Sequence, residues 1–287
     1  MNLYKIALSV VTFLSFSLTF AQDDLLNELN TTTESKKEVE TAAFKGLQIA
    51  TMQSTKLAAK GEWYFLVSHR FGDLTDGLDN FFGLDNALTK IGGLYGATNW
   101  LTVGLSRHTL NKNYELTAKY KLANQEVNGF PVTIVGYNTM DINTKLSDEE
   151  FPALQGTDRL AFSTQLPISR KFSNTFSMEL NPIYIHKNLY DPLFEEKDNF
   201  LLAAGGRYKL SNRVSLNLEY AARLNATETS FYHNPITLGV DIETGGHVFQ
   251  LLFSNSQAMN DVSYFTNANG ITEGKGIYFG FNLYRVF

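Results

Sequence analysis

The chain has 287 residues and no cysteine, and its 24 Lys and Arg side chains are outnumbered by 29 Asp and Glu, for a net charge of -5. The lack of cysteine excludes disulfides, thiolate metal sites and a thiol nucleophile. A nucleic-acid-binding surface needs clustered Lys and Arg to replace phosphate counterions, and the sequence contains no basic run. We therefore expect no nucleic-acid partner and no cofactor.

Residues 1–21 have the layout of a secretory signal. Lys5 supplies a positive start, residues 6–18 are uncharged and largely apolar, and Ala21 ends a Thr-Phe-Ala sequence with small residues where signal peptidase reads them. We predict cleavage between Ala21 and Gln22. A membrane anchor is the disfavoured alternative, because a spanning helix takes about 20 apolar residues. No later stretch is apolar enough, so a membrane location would require strands.

Residues 22–43 are polar and rich in Thr, Glu and Lys, which predicts a mobile or weakly helical periplasmic leader. From about residue 62 apolar and polar residues alternate to the last residue, the period of a strand with two different faces. A weaker segment, 44–53, either pairs outside these strands or folds in among them. Twelve segments alternate: 62–71, 91–98, 100–109, 113–122, 130–141, 158–168, 175–187, 199–209, 214–223, 235–243, 246–254 and 276–287.

The segment 214–223 shows the alternation clearly, because Leu216 and Leu218 share an apolar face while Asn217 and Glu219 fall on the other. Segments of this kind have about nine to eleven residues, the length that a tilted strand needs to cross a bilayer. The prediction is an all-β fold: an antiparallel up-and-down transmembrane β-barrel of about 12 strands within residues 44–287.

The connections between these segments alternate in length. Residues 255–275 and 224–234 are long, whereas the Gly245-Gly246 turn between them is short. Outer-membrane barrels have short periplasmic turns and longer outer loops. Ten of the eleven connections follow this rule if 123–129 counts as a periplasmic turn, and 110–112 is the exception. An even strand count then leaves both ends of the barrel sequence on the periplasmic side.

The last strand carries a further signal. Phe279, Phe281 and Leu283 share a face that ends in Phe287, which is typical of outer-membrane proteins, although Arg285 departs from the pattern and would have to snorkel. Alternation alone leaves open a soluble sandwich or a lipocalin-like barrel. The loop parity, the terminal Phe and aromatic strand ends favour the membrane barrel. Those strand ends are Trp63, Trp100, Tyr190 and Tyr208.

Four ordered motifs resemble a β-barrel family that is catalogued as a domain of unknown function, and the similarity runs over roughly residues 44–287. The resemblance implies an outer-membrane barrel and brings no established activity, so it assigns no functional residues. The motifs are His69-Arg70-Phe71-Gly72, Phe81-Phe82-Gly83-Leu84-Asp85-Asn86, Gly245-Gly246-His247-Val248-Phe249-Gln250-Leu251 and Gly280-Phe281-Asn282-Leu283-Tyr284-Arg285-Val286-Phe287.

If the apolar faces meet lipid, the charged residues of the strands must point inward, because Lys or Arg at the lipid midplane costs about 2–4 kcal/mol. Two interpretations stay open: the charges neutralise one another and fill the interior, or they line a hydrophilic channel or binding cavity. Mixed signs argue against strong ion selectivity. The candidates are Glu115, Lys119, Lys121, Arg159, Glu179, Arg207, Lys209, Glu219, Arg223, Asp241 and Glu243.

The loop 72–90 is acidic and glycine-rich, but its spacing does not match a calcium-binding loop, so we interpret it as a solvated loop. Phe81 and Phe82, with Asp85 beside them, are candidates for a constriction at the barrel mouth. They alternatively pack the loop down.

The five histidines show no metal-ligand spacing. Ser106 and His108 share a strand face, whereas the neighbours Ser68 and His69 point to opposite faces. No Gly-x-Ser-x-Gly elbow is present. We expect no enzymatic activity.

The leading functional hypothesis is a porin-like or gated channel for small polar solutes in the outer membrane of a Gram-negative bacterium. The alternative is a closed barrel that binds or scaffolds a periplasmic protein through residues 22–60. An outer-membrane lipid hydrolase is third. Outer-membrane lipid and the barrel-assembly machinery are the expected partners. The solute and the oligomeric state stay open.

Overall fold

The computed structural model describes residues 38–147, 149, 151–244, 247–270 and 275–287. The predicted signal peptide with its Ala21–Gln22 cleavage site, and the leader up to residue 37, lie outside the described residues. So does the predicted Gly245-Gly246 turn.

The described residues form one antiparallel sheet that closes on itself, because each strand pairs with a neighbour on both sides. The strands are β1 (Trp63–Asp73), β2 (Leu88–Gly96), β3 (Leu101–His108), β4 (Tyr114–Ala123), β5 (Thr133–Ile142), β6 (Leu160–Gln165), β7 (Ile168–Lys171), β8 (Phe176–Lys187), β9 (Asp198–Lys209), β10 (Val214–Arg223), β11 (Ile236–Thr244), β12 (His247–Ser254) and β13 (Tyr278–Val286). A short helix, α1 (Asp261–Thr266), lies between β12 and β13.

Strands β6 and β7 are two halves of one wall strand. Both pair with β5 on one side and β8 on the other. Pro167 lies between them and has no backbone N–H to donate, so the hydrogen-bond ladder is interrupted there. The barrel therefore has the predicted twelve wall strands, but the predicted segment 158–168 ends too early, since the wall strand continues to Lys171.

The two faces of the wall have opposite character. In β10, Leu216, Leu218 and Tyr220 are exposed, with Leu218 53% accessible, while Asn217 and Glu219 are buried. A water-soluble barrel would bury the apolar face and expose the polar one. An apolar outer band around a polar interior is the arrangement of a transmembrane barrel. The structure confirms the membrane barrel, and the soluble alternatives are wrong.

The two ends of the barrel differ, as the loop parity predicts. At one end the strands are joined by the short connections 97–100, 172–175 and 210–213, and we call this the turn end. The other end, the loop end, carries the long connections, among them 143–159 and 224–235.

Aromatic side chains mark the turn end. Trp63, Trp100 and Tyr208 are each more than half exposed, as expected of an interfacial girdle. Arg285 reaches the same zone, where its guanidinium lies 4.7 Å from the ring centroid of Phe287. Among the described residues no helix is long and apolar enough to cross a membrane.

Candidate functional site

The barrel interior is occupied by residues that precede the first strand. Segment 43–58, here called the plug segment, is almost wholly buried inside the wall. The segment 44–53, whose place the sequence left open, therefore folds into the barrel. Its side chains with no more than 2% accessibility are Phe44, Leu47, Ile49, Ala50, Met52, Ser54 and Ala58.

The plug segment is folded back on itself. Gln48 and Gln53 form an antiparallel bridge. The Ile49 N–H donates to the Met52 carbonyl at 2.9 Å, and the Ser54 N–H donates to the Leu47 carbonyl at 3.1 Å. The plug segment therefore forms a compact turn in which these backbone hydrogen bonds join residues of the segment to one another.

Glu219, on the inward face of β10, binds the tip of this turn. Its carboxylate accepts three consecutive backbone N–H groups, from Ala50 at 2.6 Å, Thr51 at 3.0 Å and Met52 at 2.9 Å. The Tyr264 hydroxyl donates to the same carboxylate at 3.3 Å. All four groups donate hydrogen bonds, which the two oxygens of the carboxylate accept.

Lys119, on the opposite part of the wall in β4, binds the base of the turn. Its ammonium group donates to the carbonyls of Leu47 at 2.8 Å and Ser54 at 3.0 Å, with Lys56 more distant at 3.4 Å. Glu219 thus binds three amides at the tip of the plug turn, and Lys119 binds carbonyls at its base. Both were predicted to point inward.

Neutral wall amides supply a third set of contacts. Asn217 and Gln250 both donate to the Ile49 carbonyl, at 3.0 and 2.7 Å. Asp241 accepts from the same two amides at 2.6 and 2.9 Å and so fixes their orientation. Asn282 donates to the Ala50 carbonyl at 2.7 Å.

Two wall glycines make room for the plug segment. A Cβ at Gly205 would lie 2.5 Å from Ile49 Cδ1, and one at Gly239 would lie 3.1 Å from Ala50 Cβ. By contrast, a Cβ at Gly206 would meet no atom closer than 3.8 Å. Gly205 thus marks close packing inside the barrel.

A second segment enters from the loop end. Residues 255–267, here called the loop-end insert, contain α1 and are largely buried. Val262, Tyr264 and Phe265 pack with Met52 in one apolar cluster. The Gln53 amide reaches the Asp261 carboxylate at 3.4 Å. The plug segment and the insert therefore meet inside the barrel.

The remaining predicted inward residues surround the contact between the plug segment and the insert, or lie nearer the barrel ends. Glu115 accepts from Lys90 at 2.5 Å and from the Asp261 N–H at 3.2 Å, and Glu179 accepts from the Thr55 N–H at 3.1 Å. The others lie nearer the two barrel ends. At the turn end, Arg207 pairs with Glu243 at 3.2 Å, and Lys121 and Lys209 are half-buried. At the loop end, Arg223 donates to the Tyr232 carbonyl at 2.8 Å, and Arg159 donates to the Leu146 carbonyl.

The aromatic pair of the first long loop lies outside the interior. Phe81 and Phe82 both have left-handed backbone angles, with φ of 49° and 54°, and are more than half exposed; Asp85 beside them is exposed. Of the segments that fill the interior, 44–53 had been left open between two places, and the loop-end insert was not predicted. Their only sequence signal is a set of apolar residues without strand alternation before β1 and within 258–265.

Ser106 and His108 come together inside the barrel. Their Oγ and Nε2 atoms lie 3.4 Å apart, and Glu115 accepts from Ser106 at 3.0 Å. His108 has no exposed surface. Among the described residues no group of three or more His, Cys, Asp or Glu could hold a metal ion.

Cavities remain at both ends of the filled interior. The turn-end cavity, about 380 Å³, is lined by Lys45, Lys171, Arg207 and Lys209. A hydrogen bond from Lys171 at 2.9 Å lowers the pKa of Glu40 at its edge. The loop-end cavity, about 390 Å³, is lined mainly by amides and by the insert.

The family model of a membrane-bound β-barrel domain, DUF5777, matches residues 44–287. Similar solved structures include the NanC porin (TM-score 0.50, 7% identity, 78% of this chain and 98% of that one). Another is an outer-membrane channel from Pseudomonas putida F1, with a TM-score of 0.49 and 12% identity over 81% of this chain and 98% of that one. A third is the KdgM porin, with a TM-score of 0.48 and 10% identity over 78% of this chain and 99% of that one. A sequence comparison with curated proteins finds no match. At these identities the structural likeness shows the fold alone.

Proposed function

The chain belongs to the DUF5777 family of membrane-bound β-barrel domains, and we propose that this outer-membrane protein is a gated channel for small polar solutes, held closed by its own plug segment. The observation that carries the proposal is the Glu219 carboxylate, which accepts three consecutive N–H groups of the plug turn. A wall carboxylate committed to the plug backbone makes the plug a specific occupant of the interior.

The way the plug is attached supports release without damage to the wall. The plug backbone pairs with itself, and the wall holds it through the side chains of Glu219, Lys119 and their neighbours. Withdrawal toward the turn end would break side-chain contacts only, because every wall ladder stays paired. Withdrawal would uncover the polar wall side chains of Glu219, Lys119 and Asn217 beside the apolar cluster around Met52. The polar side chains suit the passage of a hydrated solute.

The size of the barrel supports a pathway of modest width. Eight-stranded barrels are filled by side chains, whereas porins of about 16 strands hold an aqueous channel. A wall of twelve strands lies between these cases, so removal of a sixteen-residue segment decides whether water can fill the interior.

Planar-bilayer recording of the refolded mature chain, Gln22 to Phe287, tests the proposal. We expect rare, brief openings from this chain and frequent, discrete current steps from a variant that begins at Ala59 and lacks the plug segment. Equal heat-modifiable migration and β-sheet circular dichroism would confirm that both barrels are folded. Sustained large currents from the full mature chain would contradict closure by the plug.

A second candidate is a closed barrel that scaffolds a periplasmic protein. It is favoured by the position of residues 38–40, which are tied to the turn end by the Val39–Glu126 bridge and the Glu40–Lys171 ion pair. Residues 38–40 therefore lie at the turn end, which the loop parity predicts to be periplasmic. If the variant lacking the plug folds but stays silent, and deletion of residues 22–42 abolishes capture of a periplasmic protein, the scaffold is the better account.

Lipid hydrolysis finds no support in the Ser106–His108 pair. The two side chains lie on the inward face, where His108 is fully buried, and the lipid lies on the other side of the wall. A phospholipid-release assay on the refolded protein is expected to show no activity above that of a His108→Gln variant.

A further inference from the structure

We propose that the loop-end cavity is a binding site for a neutral polyhydroxylated solute, a compound of the sugar class. The inference rests on the proposed channel function and names the solute that the channel would receive. The cavity lies where a solute arriving from the loop end would first meet the closed interior.

The cavity has the size and position of a ligand site. Its volume of about 390 Å³ falls within the range of roughly 300–1,000 Å³ that is typical of small-molecule pockets. Wall strands and outer loops form its sides, and the loop-end insert forms its floor through Asn260, Val262, Ser263 and Asn267.

The polar lining is dominated by side-chain amides. An amide carries both donors and acceptors, as a sugar hydroxyl does. A cation would need acceptors only and an anion would need donors only, so a lining of amides suits a neutral hydroxyl-rich ligand best. The amides include Asn113, Asn143, Gln257, Asn260, Asn267 and Asn269.

Contacts within the protein already orient these amides and leave complementary atoms for a ligand. Gln257 donates through Nε2 to the carbonyls of Phe71 and Asn86, at 3.1 and 2.7 Å, which leaves its oxygen to accept. Asn269 accepts from Tyr278 at 3.0 Å through its oxygen, which leaves its NH2 group to donate. The lining therefore presents acceptors and donors together.

The charges of the lining disfavour an acidic sugar. Lys187 and Glu195 pair with each other at 2.8 Å, and Asn267 bridges them, so their charges are satisfied within the protein. The lining's other ionisable side chains are the acids Asp141 and Asp158 and the base Arg159. A ligand carboxylate would lie near two acidic side chains, whereas the hydroxyls of a neutral sugar can donate to or accept from a carboxyl group in either form.

A ligand in this cavity would rest on the element that meets the plug. The insert forms the cavity floor, its Asp261 N–H donates to Glu115 at 3.2 Å, and its Asp261 carboxylate accepts from Gln53 of the plug segment at 3.4 Å. Solute binding and plug position are therefore connected through α1.

Binding of maltotriose and of digalacturonate to the refolded mature chain in detergent, measured by saturation-transfer NMR and isothermal titration, tests the site. We expect maltotriose to bind at least tenfold more tightly than digalacturonate. A Ser263→Trp variant, which fills the cavity from its floor, should weaken maltotriose binding at least tenfold. The matched control Asn212→Trp, at the turn-end cavity, should bind maltotriose as the unchanged protein does.

A second variant distinguishes loss of the binding site from misfolding of the insert. Asn143→Leu changes a lining amide outside the insert, and it should also weaken maltotriose binding while near-UV circular dichroism stays unchanged. No maltotriose binding at millimolar concentration, preference for digalacturonate, or equal binding by Ser263→Trp would each overturn the assignment. Because binding is measured without current, a silent bilayer with intact binding would refute only the channel, and a conducting barrel without binding would refute only the site.

Discussion

Replacement of Glu219 by Ala should release the plug segment. The substitution leaves the N–H groups of Ala50, Thr51 and Met52 without their acceptor. A buried donor without a partner costs about 1–3 kcal/mol. Three such donors would sum to about 3–9 kcal/mol, but water can enter the space left by the side chain and satisfy part of them. We expect the lower part of this range, about 3–5 kcal/mol.

That loss of binding free energy predicts a large rise in the released fraction. Since 1.4 kcal/mol corresponds to a factor of 10, about 3–5 kcal/mol corresponds to roughly a 100- to 4,000-fold increase. The chain has no cysteine, so a Ser54→Cys substitution introduces a unique thiol in a fully buried part of the plug. Its reaction rate with a membrane-impermeant maleimide reports the fraction of time that the plug is released.

We expect the thiol to react at least 100-fold faster when Glu219 is Ala. A Glu219→Gln variant, which keeps an acceptor oxygen but not the charge, should fall between the two. The matched control is Glu243→Ala, which removes a carboxylate paired with Arg207 and with the half-exposed Lys45 of the plug segment. An exposed ion pair contributes about 0–1 kcal/mol, so the rate should change only a few-fold. Equal labelling rates with Glu and Ala at position 219 would refute the reasoning, because the three N–H contacts would then contribute nothing to plug retention.

Three further predictions concern the packing and charge of the interior. Gly205→Leu should displace Ile49, because the added side chain would overlap it, and overpacking costs about 1–3 kcal/mol. It should therefore raise labelling of the Ser54→Cys thiol about tenfold. The control Gly206→Leu, on the outer face, should leave the labelling rate unchanged. Lys119→Met removes the donor for two plug carbonyls and should raise labelling about 10- to 100-fold; unchanged labelling would show that this contact is dispensable. Burial raises the pKa of Glu195, but the ion pair with Lys187 and hydrogen bonds from Asn267 and the Asp191 N–H together outweigh burial, and the pKa is lowered overall. The pair therefore stabilises the loop above about pH 4.5 and is lost as the pH falls through the lowered pKa. Amide-exchange protection of this loop should drop below that pH, and a Glu195→Gln variant should show no such drop.

The wall of this barrel could be predicted from the sequence because one face of each strand meets lipid and the other meets the interior. Apolar and polar residues therefore alternate along the strand. Leu216 and Leu218 face outward and Asn217 and Glu219 face inward, as their alternation requires. The terminal strand behaves likewise, with Asn282 buried and Phe281 half-buried on the opposite face. The predicted segment 158–168 runs past Pro167 but stops short of Lys171, because Ser169, Arg170 and Lys171 are all polar and do not alternate.

The contents of the barrel could not be predicted from local pattern. The plug turn has no strand alternation, and its position depends on partners far away in the chain, since Ala50 and Glu219 are 169 residues apart. The same holds for the insert, whose Asp261 meets Glu115 across 146 residues. The inward direction of Glu219 and Lys119 followed from the alternation; their roles as holders of the plug backbone did not.

Phe81 and Phe82 show a related limit. A loop has no regular alternation of side chains, so its sequence does not predict whether an aromatic pair faces the interior or the outside. Here both rings are exposed, beyond the end of β1. The residues that occupy the interior are those of the plug segment and the insert.

The most direct test of closure by the plug is to tie it reversibly to the wall. The side-chain oxygens of Thr55 in the plug segment and Ser169 in β7 lie 2.5 Å apart, so a Thr55→Cys and Ser169→Cys pair is placed to form a disulfide in a chain that has no other cysteine. The measurement is single-channel current from this pair in the Glu219→Ala background, before and after reduction. We predict a silent barrel when the disulfide is formed and discrete openings when it is reduced. The same current in both states would contradict the account, because the plug segment would then not control the pathway.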